Sequence, residues 1–234
     1  MIGHEKISFF LPVRNGSERV KNKNTRPFGP FAGGLVENKL LQLRKSALLD
    51  EVILSTNDEK TFEIAEKFSF PNLKVVLRPE ELCTNETDLQ DLIAYAATVV
   101  SSPHILWGHV TNPFVTGEDY DRAIECYFLQ RSRGYDSLVG GTSFRNYLLN
   151  EQGTIINNKA ATKWPRTQDL ELLFEINHAV FITSRQMYIQ KRDRLGKNIF
   201  QFEMDKIKSF DIDWEDDFNI CELLMEKLLE NHNR

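Results

Sequence analysis

Short apolar runs that alternate with amphipathic stretches predict an α/β protein, a mainly parallel sheet with helices on both faces, in one domain over residues 1–234. Three observations carry this prediction. The runs Ile7–Leu11, Glu51–Ser55, Leu73–Leu77, His104–Val110 and Asp136–Gly140 are short, partly β-branched and apolar enough to be covered on both sides. Between them, 34–47, 58–68, 87–100 and 117–130 repeat apolar residues at helical spacing. The succession of strand and helix is the third, because parallel neighbours need a long crossover, usually a helix.

The first strand empties into "LPVRNGSERVKNKN", a polar and basic loop. Asn57 or Asp58 is a candidate N-cap for the helix after the second strand, Thr84 or Asn85 for the next, and Thr116 for the one opening at Gly117–Glu118. From about 142 to 183 the pattern changes to polar, hairpin-like pieces with "NEQGT" as a turn, which predicts an inserted excursion rather than a second domain. The chain closes on "SFDIDWEDDFNICELLMEKLLENHNR", read as a strand, an acidic helix start and a long amphipathic helix.

Composition excludes several classes of function. The net charge of −5 argues against nucleic acid as a partner, since phosphate-tracking surfaces need a basic excess. No apolar run approaches the roughly 20 residues of a membrane span. Cys83, Cys126 and Cys221 have no short spacing, which predicts neither a disulfide framework nor a zinc site. With no secretory leader in the first residues, the expected compartment is the cytoplasm.

In a parallel α/β sheet, ligands bind beyond the carboxyl ends of the strands, so the loop after the first strand is the expected anion site. Gly16 and Ser17 allow close backbone approach, and Arg14, Arg19, Lys21 and Lys23 surround it with charge. A triphosphate suits this set. No GxGxxG and no GK[ST] follows the strand, so the loop is neither a dinucleotide fingerprint nor a Walker loop.

"LPVRNGSERVKNKN" resembles the signature of the cytidylyltransferases that make CMP-activated sialic acids and related nonulosonic acids. The resemblance continues in order through "DEVILSTND", "VLRPEEL", "HVTNPF", "PRTQDL", "NHAVFI" and "FDIDWEDDF". It implies a fold of the nucleotide-diphospho-sugar transferase type and a homodimer formed through the excursion. The implied reaction joins CTP and an acidic nine-carbon sugar into a CMP-sugar and pyrophosphate, with Mg2+ as cofactor. Such a transfer asks for charge neutralisation and positioning more than for covalent chemistry.

On this resemblance Arg14, Asn15, Gly16, Ser17, Arg19, Lys23, Asn24 and Arg78 bind the nucleotide, with Asn24 reading the cytosine edge. Asp211 and Asp213, alternating on a strand, share one face and hold the metal; Arg14, Lys23 and Asp213 are the catalytic set. Arg166 and Gln168 match the sugar-side segment, with the arginine fork suited to the acid's carboxylate, while His109, Asn177 and Phe181 complete the acceptor side. Phe181 on an apolar strand also reads as core, and His109 as a strand-end histidine. His178 stands where the family carries glycine, and Glu18 where it carries lysine. A carboxylate beside a triphosphate is repulsive unless paired, and the expectation is that Glu18 holds Arg19 while Arg19 takes over the lysine's duty. Two other readings stay open: a catalytically silent nucleotide- or sugar-binding relative, and a nucleotidyltransferase for a different acid sugar such as an octulosonic acid.

Overall fold

The computed structural model describes residues 5–232. Seven strands, β1 (Ile7–Val13), β2 (Glu51–Thr56), β3 (Leu73–Leu77), β4 (His104–Trp107), β5 (Ser137–Phe144), β6 (Leu173–Ser184) and β7 (Ile199–Glu203), form one sheet in the order β3-β2-β1-β4-β6-β5-β7. The pairs β1·β2, β1·β4, β2·β3 and β5·β7 are parallel, and β6 alone runs against its neighbours. The helices are α1 (Gly34–Leu43), α2 (Glu59–Lys67), α3 (Leu89–Val99), α4 (Gly117–Arg131), α5 (Arg185–Lys191) and α6 (Glu215–His232).

Alternation along β1 explains why both faces are covered. Ile7, Phe9, Leu11 and Val13 point into a core shared with α1, α2, α4 and α6, whereas Phe10 points into a second core with Ile93, Ala96 and Ala97 of α3 and Tyr188 of α5. Chain connections leave β1 and β4 in opposite directions, so the crevice beyond their carboxyl ends is the expected ligand site.

Several expectations are corrected. The strand from His104 ends at Trp107, leaving His109 and Val110 in the following loop. Asp88, not Thr84 or Asn85, caps α3 by accepting from the Gln90 amide at 2.8 Å. Thr116 does cap α4, in a reciprocal box with Asp119. Residues 211–213 form no strand; the Ile212 amide makes a single bond to the Thr111 carbonyl at 3.0 Å. The stretch 142–183 is not all excursion, because β5 reaches Phe144 and β6 returns from Leu173 as a full member of the sheet. The segment between them, 145–172, stands outside the sheet with only a short isolated bridge, Leu149 to Ile155, and one 3-10 turn, Thr167–Asp169. The strand β7 and the helix α5 were not predicted at all.

Candidate active site

The carboxyl ends of β1 and β4 open onto a cavity of about 480 Å³, lined among others by Arg14, Ser17, Arg19, Lys23, Asn24, Arg78 and His109. The loop 14–26 gets its shape from a few local constraints. Gly16 takes φ 83° and Asn22 φ 54°, both in the left-handed region. Gly34, at φ 68°, lets the chain lie against the start of α1, where any Cβ would sit 2.2 Å from the Arg26 carbonyl. The Val36 amide then donates to the Asn24 carbonyl at 3.0 Å, fixing the end of the loop on the helix.

Within the loop the amides are used differently from what the sequence leads one to expect. The Asn15 amide donates to Asn57 Oδ1 at 3.0 Å and the Gly16 amide to Asn15 Oδ1 at 2.7 Å, so neither is free for phosphate. Asn24 Nδ2 donates one N–H to the Arg14 carbonyl at 3.1 Å, closing the loop across its base while the side chain still lines the cavity. Arg14 donates to Asn85 Oδ1 at 2.6 Å and to the Cys83 carbonyl at 3.3 Å. Asn85 in turn donates to Glu18 Oε1, so the carboxylate that replaces the family lysine is bound by an amide and not by Arg19. Arg78 is buried, donates to the Ser55 carbonyl at 2.8 Å, and has its pKa pulled down by burial.

Asp211 and Asp213 approach this loop from the segment before α6. Arg19 pairs with Asp213 at 2.8 Å and lies 5.3 Å above the Trp214 ring, and Lys23 Nζ donates to the Ile212 carbonyl at 2.6 Å. Burial lowers the Lys23 pKa, opposed by Asp213 and Asp211. Asp211 is pushed up, first by burial, and its Oδ1 is buried with no hydrogen-bond partner. A buried, unpaired carboxylate oxygen is costly, and a hard cation that accepts oxygen ligands is the kind of group that satisfies it. Among the described residues no group of three or more His, Cys, Asp or Glu side chains converges. The donor set therefore fits a divalent ion that draws its remaining ligands from phosphate and water.

The acceptor-side expectations fare unevenly. His109 lines the cavity; its Nε2 accepts from Trp107 Nε1 at 3.0 Å, and desolvation, with Arg194 next in effect, holds its pKa down at about 3, so the ring is neutral. Asn177 is buried in a structural network: Nδ2 donates to Ser209 Oγ at 3.0 Å and Oδ1 accepts the Ala179 amide at 3.1 Å. Phe181 is a core residue of β6, opposite Trp107. Arg166 is exposed and bound to Asp169 at 2.9 Å, and neither it nor the exposed Gln168 lines the cavity. Residues that the sequence did not single out as ligand contacts do line it: Asn85, Leu89, Leu92 and Trp107. The leucines sit at the start of α3 with the spacing of a helix face, which is also what core packing looks like in sequence.

Post-translational flagellin modification protein B of Campylobacter coli is 24% identical over 227 residues, covering 92% of this chain and 93% of that protein. The N-acylneuraminate cytidylyltransferase of Escherichia coli O18:K1:H7 is 26% identical over 95% of this chain and 52% of its own length, so the chain spans about half of that relative. The pseudaminic acid cytidylyltransferase of Campylobacter jejuni is 23% identical, with 92% and 94% covered. In fold, the chain matches a CMP:2-keto-3-deoxy-manno-octonic acid synthetase solved with CTP, at TM-score 0.66 and 13% identity over 95% of this chain and 99% of the other. The cytidylyltransferase family model matches from residue 9 to residue 233, taking in the basic loop, the crevice and the paired aspartates alike, and the chain belongs to that family.

Proposed function

We propose that this cytidylyltransferase transfers CMP from CTP to the anomeric hydroxyl of a nonulosonic acid, releasing pyrophosphate. The observation that carries the reading is the convergence of Arg14, Arg19, Lys23 and Arg78 on one cavity beside Asp211 and Asp213. The names of the relatives supply the acceptor class. The anomeric oxygen forms a bond to the α-phosphorus as the bond from that phosphorus to the β-bridging oxygen breaks, and the hydroxyl proton leaves to solvent. Arg14, Lys23 and Arg78 neutralise the triphosphate and the departing pyrophosphate. Asp211 and Asp213 would hold magnesium, which supplies charge neutralisation at the phosphates. For Asp213 to hold that ion its pair with Arg19 would have to open, which would free Arg19 for phosphate. Three free thiols, Cys83, Cys126 and Cys221, fit a reducing cytoplasm as its place of action.

The partner we assign is a second copy. Leu149, Ile156, Trp164 and Leu172 expose 62%, 58%, 64% and 52% of their surface on the segment outside the sheet, the kind of apolar surface that a homodimer covers. One preparation tests both points. Pyrophosphate release from CTP should require a nonulosonic acid and magnesium, and light scattering should report about twice the 27.2 kDa chain mass. Turnover undiminished by a chelator removes the metal role. Turnover with an octulosonic acid alone moves the acceptor class, and a 27.2 kDa particle at micromolar concentration removes the dimer.

A further inference from the structure

Arg194, in the loop between α5 and β7, carries a half-buried guanidinium with no hydrogen bond and no ion pair among the described residues. It lies 4.1 Å above the Phe181 ring and 5.1 Å above that of Trp107. Its neighbour Asp193 acts on it through space but forms no ion pair with it, accepting the Leu195 amide at 3.1 Å instead. The loop is firmly held: Asp136 accepts the Lys197 amide at 2.9 Å and the Asn198 amide at 3.1 Å, and Ser137 Oγ accepts the Gly196 amide at 2.9 Å. Nearby, the Tyr188 hydroxyl is buried and also unpartnered, with its ring stacked on Trp107 at 6.3 Å. A desolvated cation is normally paired, so an arginine fork on a firmly held loop, backed by aromatic rings and with no acid hydrogen-bonded to it, is prepared for an anion from outside. Resting on the acceptor class proposed above, we propose that Arg194 is the receptor for the carboxylate of the acid sugar. In such a sugar the carboxylate is attached to the same carbon as the attacking hydroxyl, so its receptor must stand beside the reacting phosphorus. Arg194 is one ring away from the cavity, since Trp107 and His109 line it. Arg166, which the sequence nominates for this duty, lies exposed on the segment outside the sheet.

The test compares wild type with Arg194→Met, which keeps an apolar stem against Phe181, and with Arg194→Lys, which keeps the charge. The expected result in Arg194→Met is a KM for the acid sugar raised roughly 10- to 100-fold, the loss of one charge-assisted contact, with the KM for CTP unchanged. The wild-type preference for the acid over its carboxamide should collapse in the same variant, and Arg194→Lys should restore part of it. An unchanged acid KM with the preference intact overturns the inference, as does an equal rise in both KM values, because either result means the guanidinium only packs. If Arg194→Met does not fold, undiminished acid preference in Arg194→Lys, which has lost the fork, overturns it equally. A wild type that turns over no 2-keto acid sugar with CTP overturns the acceptor reading beneath the inference, and the inference with it.

Discussion

The two halves of the crevice are built on different terms. On the nucleotide side, charged side chains come from one contiguous loop and from the first residues past β3, and the sheet topology delivers them to the same place. Most are already engaged with protein atoms: Arg14 with Asn85, Arg19 with Asp213, Lys23 with Ile212 and Arg78 with Ser55. On the acceptor side, functional groups are spread over the β4 end, the bulge in β6 and the loop before β7, and the guanidinium there has no partner. The triphosphate is the same whatever the acceptor, so its cradle can be pre-formed and held by protein acceptors, neutral except for the Asp213 carboxylate on Arg19, that are exchanged for phosphate oxygens. An acid sugar varies in its substituents, and the segments to which the proposed reading assigns it are a bulge and two loops, where the backbone leaves the regular ladder.

The sharpest way to break this contrast is Arg14→Ala. Removing a charge-assisted contact to a transferring phosphate costs about 3 kcal/mol of transition-state stabilisation, or roughly 100-fold in turnover. Among the described residues the Arg14 guanidinium bonds only the Cys83 carbonyl and the exposed Asn85, so the thermal midpoint should barely change. Steady-state pyrophosphate release and a melting curve on the same sample decide it. Equal turnover in Arg14→Ala and wild type would remove the nucleotide role of the loop.

This asymmetry also explains what was legible in the sequence. The nucleotide loop could be read because its chemistry lies in a dozen consecutive residues after a strand whose apolar character is unmistakable. Its internal wiring could not: Asn24 closes the loop on Arg14 across 10 positions, and Asn85 stands between Arg14 and Glu18 through contacts 71 and 67 positions apart. Asp211 and Asp213 show a subtler limit. The two aspartates do flank a buried Ile212, yet one bond to Thr111 is all the pairing there is, so the expected strand does not form. Asn177 and Phe181 were assigned to the sugar by resemblance, and burial in β6 turns them to structural work instead. Arg194 has no motif around it, and its lack of an ion pair is visible only once the fold has placed it over Phe181.

The seam between the halves offers a second, smaller test. Lys39 of α1 is fully buried, and its Nζ lies 2.9 Å from the Asn112 carbonyl and 2.8 Å from the Tyr120 hydroxyl. Asn112 itself donates to the carbonyls of Asn177 and Phe210 at 2.8 and 3.1 Å, tying the acceptor-side bulge to the segment that carries Asp211. Burial pulls the Lys39 pKa down to about 7 from an ordinary value of 10.5. A base whose folded pKa is depressed binds fewer protons in the folded chain than in the unfolded one between those two values, so its contribution to stability rises with pH from about 7 and levels off near 10.5. The slope is at most about 1.4 kcal/mol per pH unit. Chemical denaturation at pH 7 and pH 9 should show wild type gaining stability over this interval relative to Lys39→Met. Parallel stability curves for the two proteins would mean that Lys39 is not discharged on folding.

The smallest expected effect is on the acceptor side and has the opposite sign. Between the pairs Val139–Phe181 and Gly141–Ile176, Gly140 of β5 faces Asn177, His178, Ala179 and Val180 of β6, and the bulge forces His178 to φ 59°. Glycine adopts that conformation freely, whereas a residue with a Cβ pays about 1 kcal/mol or more. His178 is exposed, and its ring lies 6.4 Å from His109 and 6.1 Å from Phe181. Strain of this kind persists where a side chain is wanted for something other than stability. His178→Gly should therefore raise the thermal midpoint by about 2–4 °C, the shift that about 1 kcal/mol produces in a chain of this size. It should weaken the acid sugar and leave the KM for CTP alone. A midpoint that falls, or a KM for CTP that rises with the one for the acid, would put the bulge among the supports of the whole crevice and erase the division between its two halves.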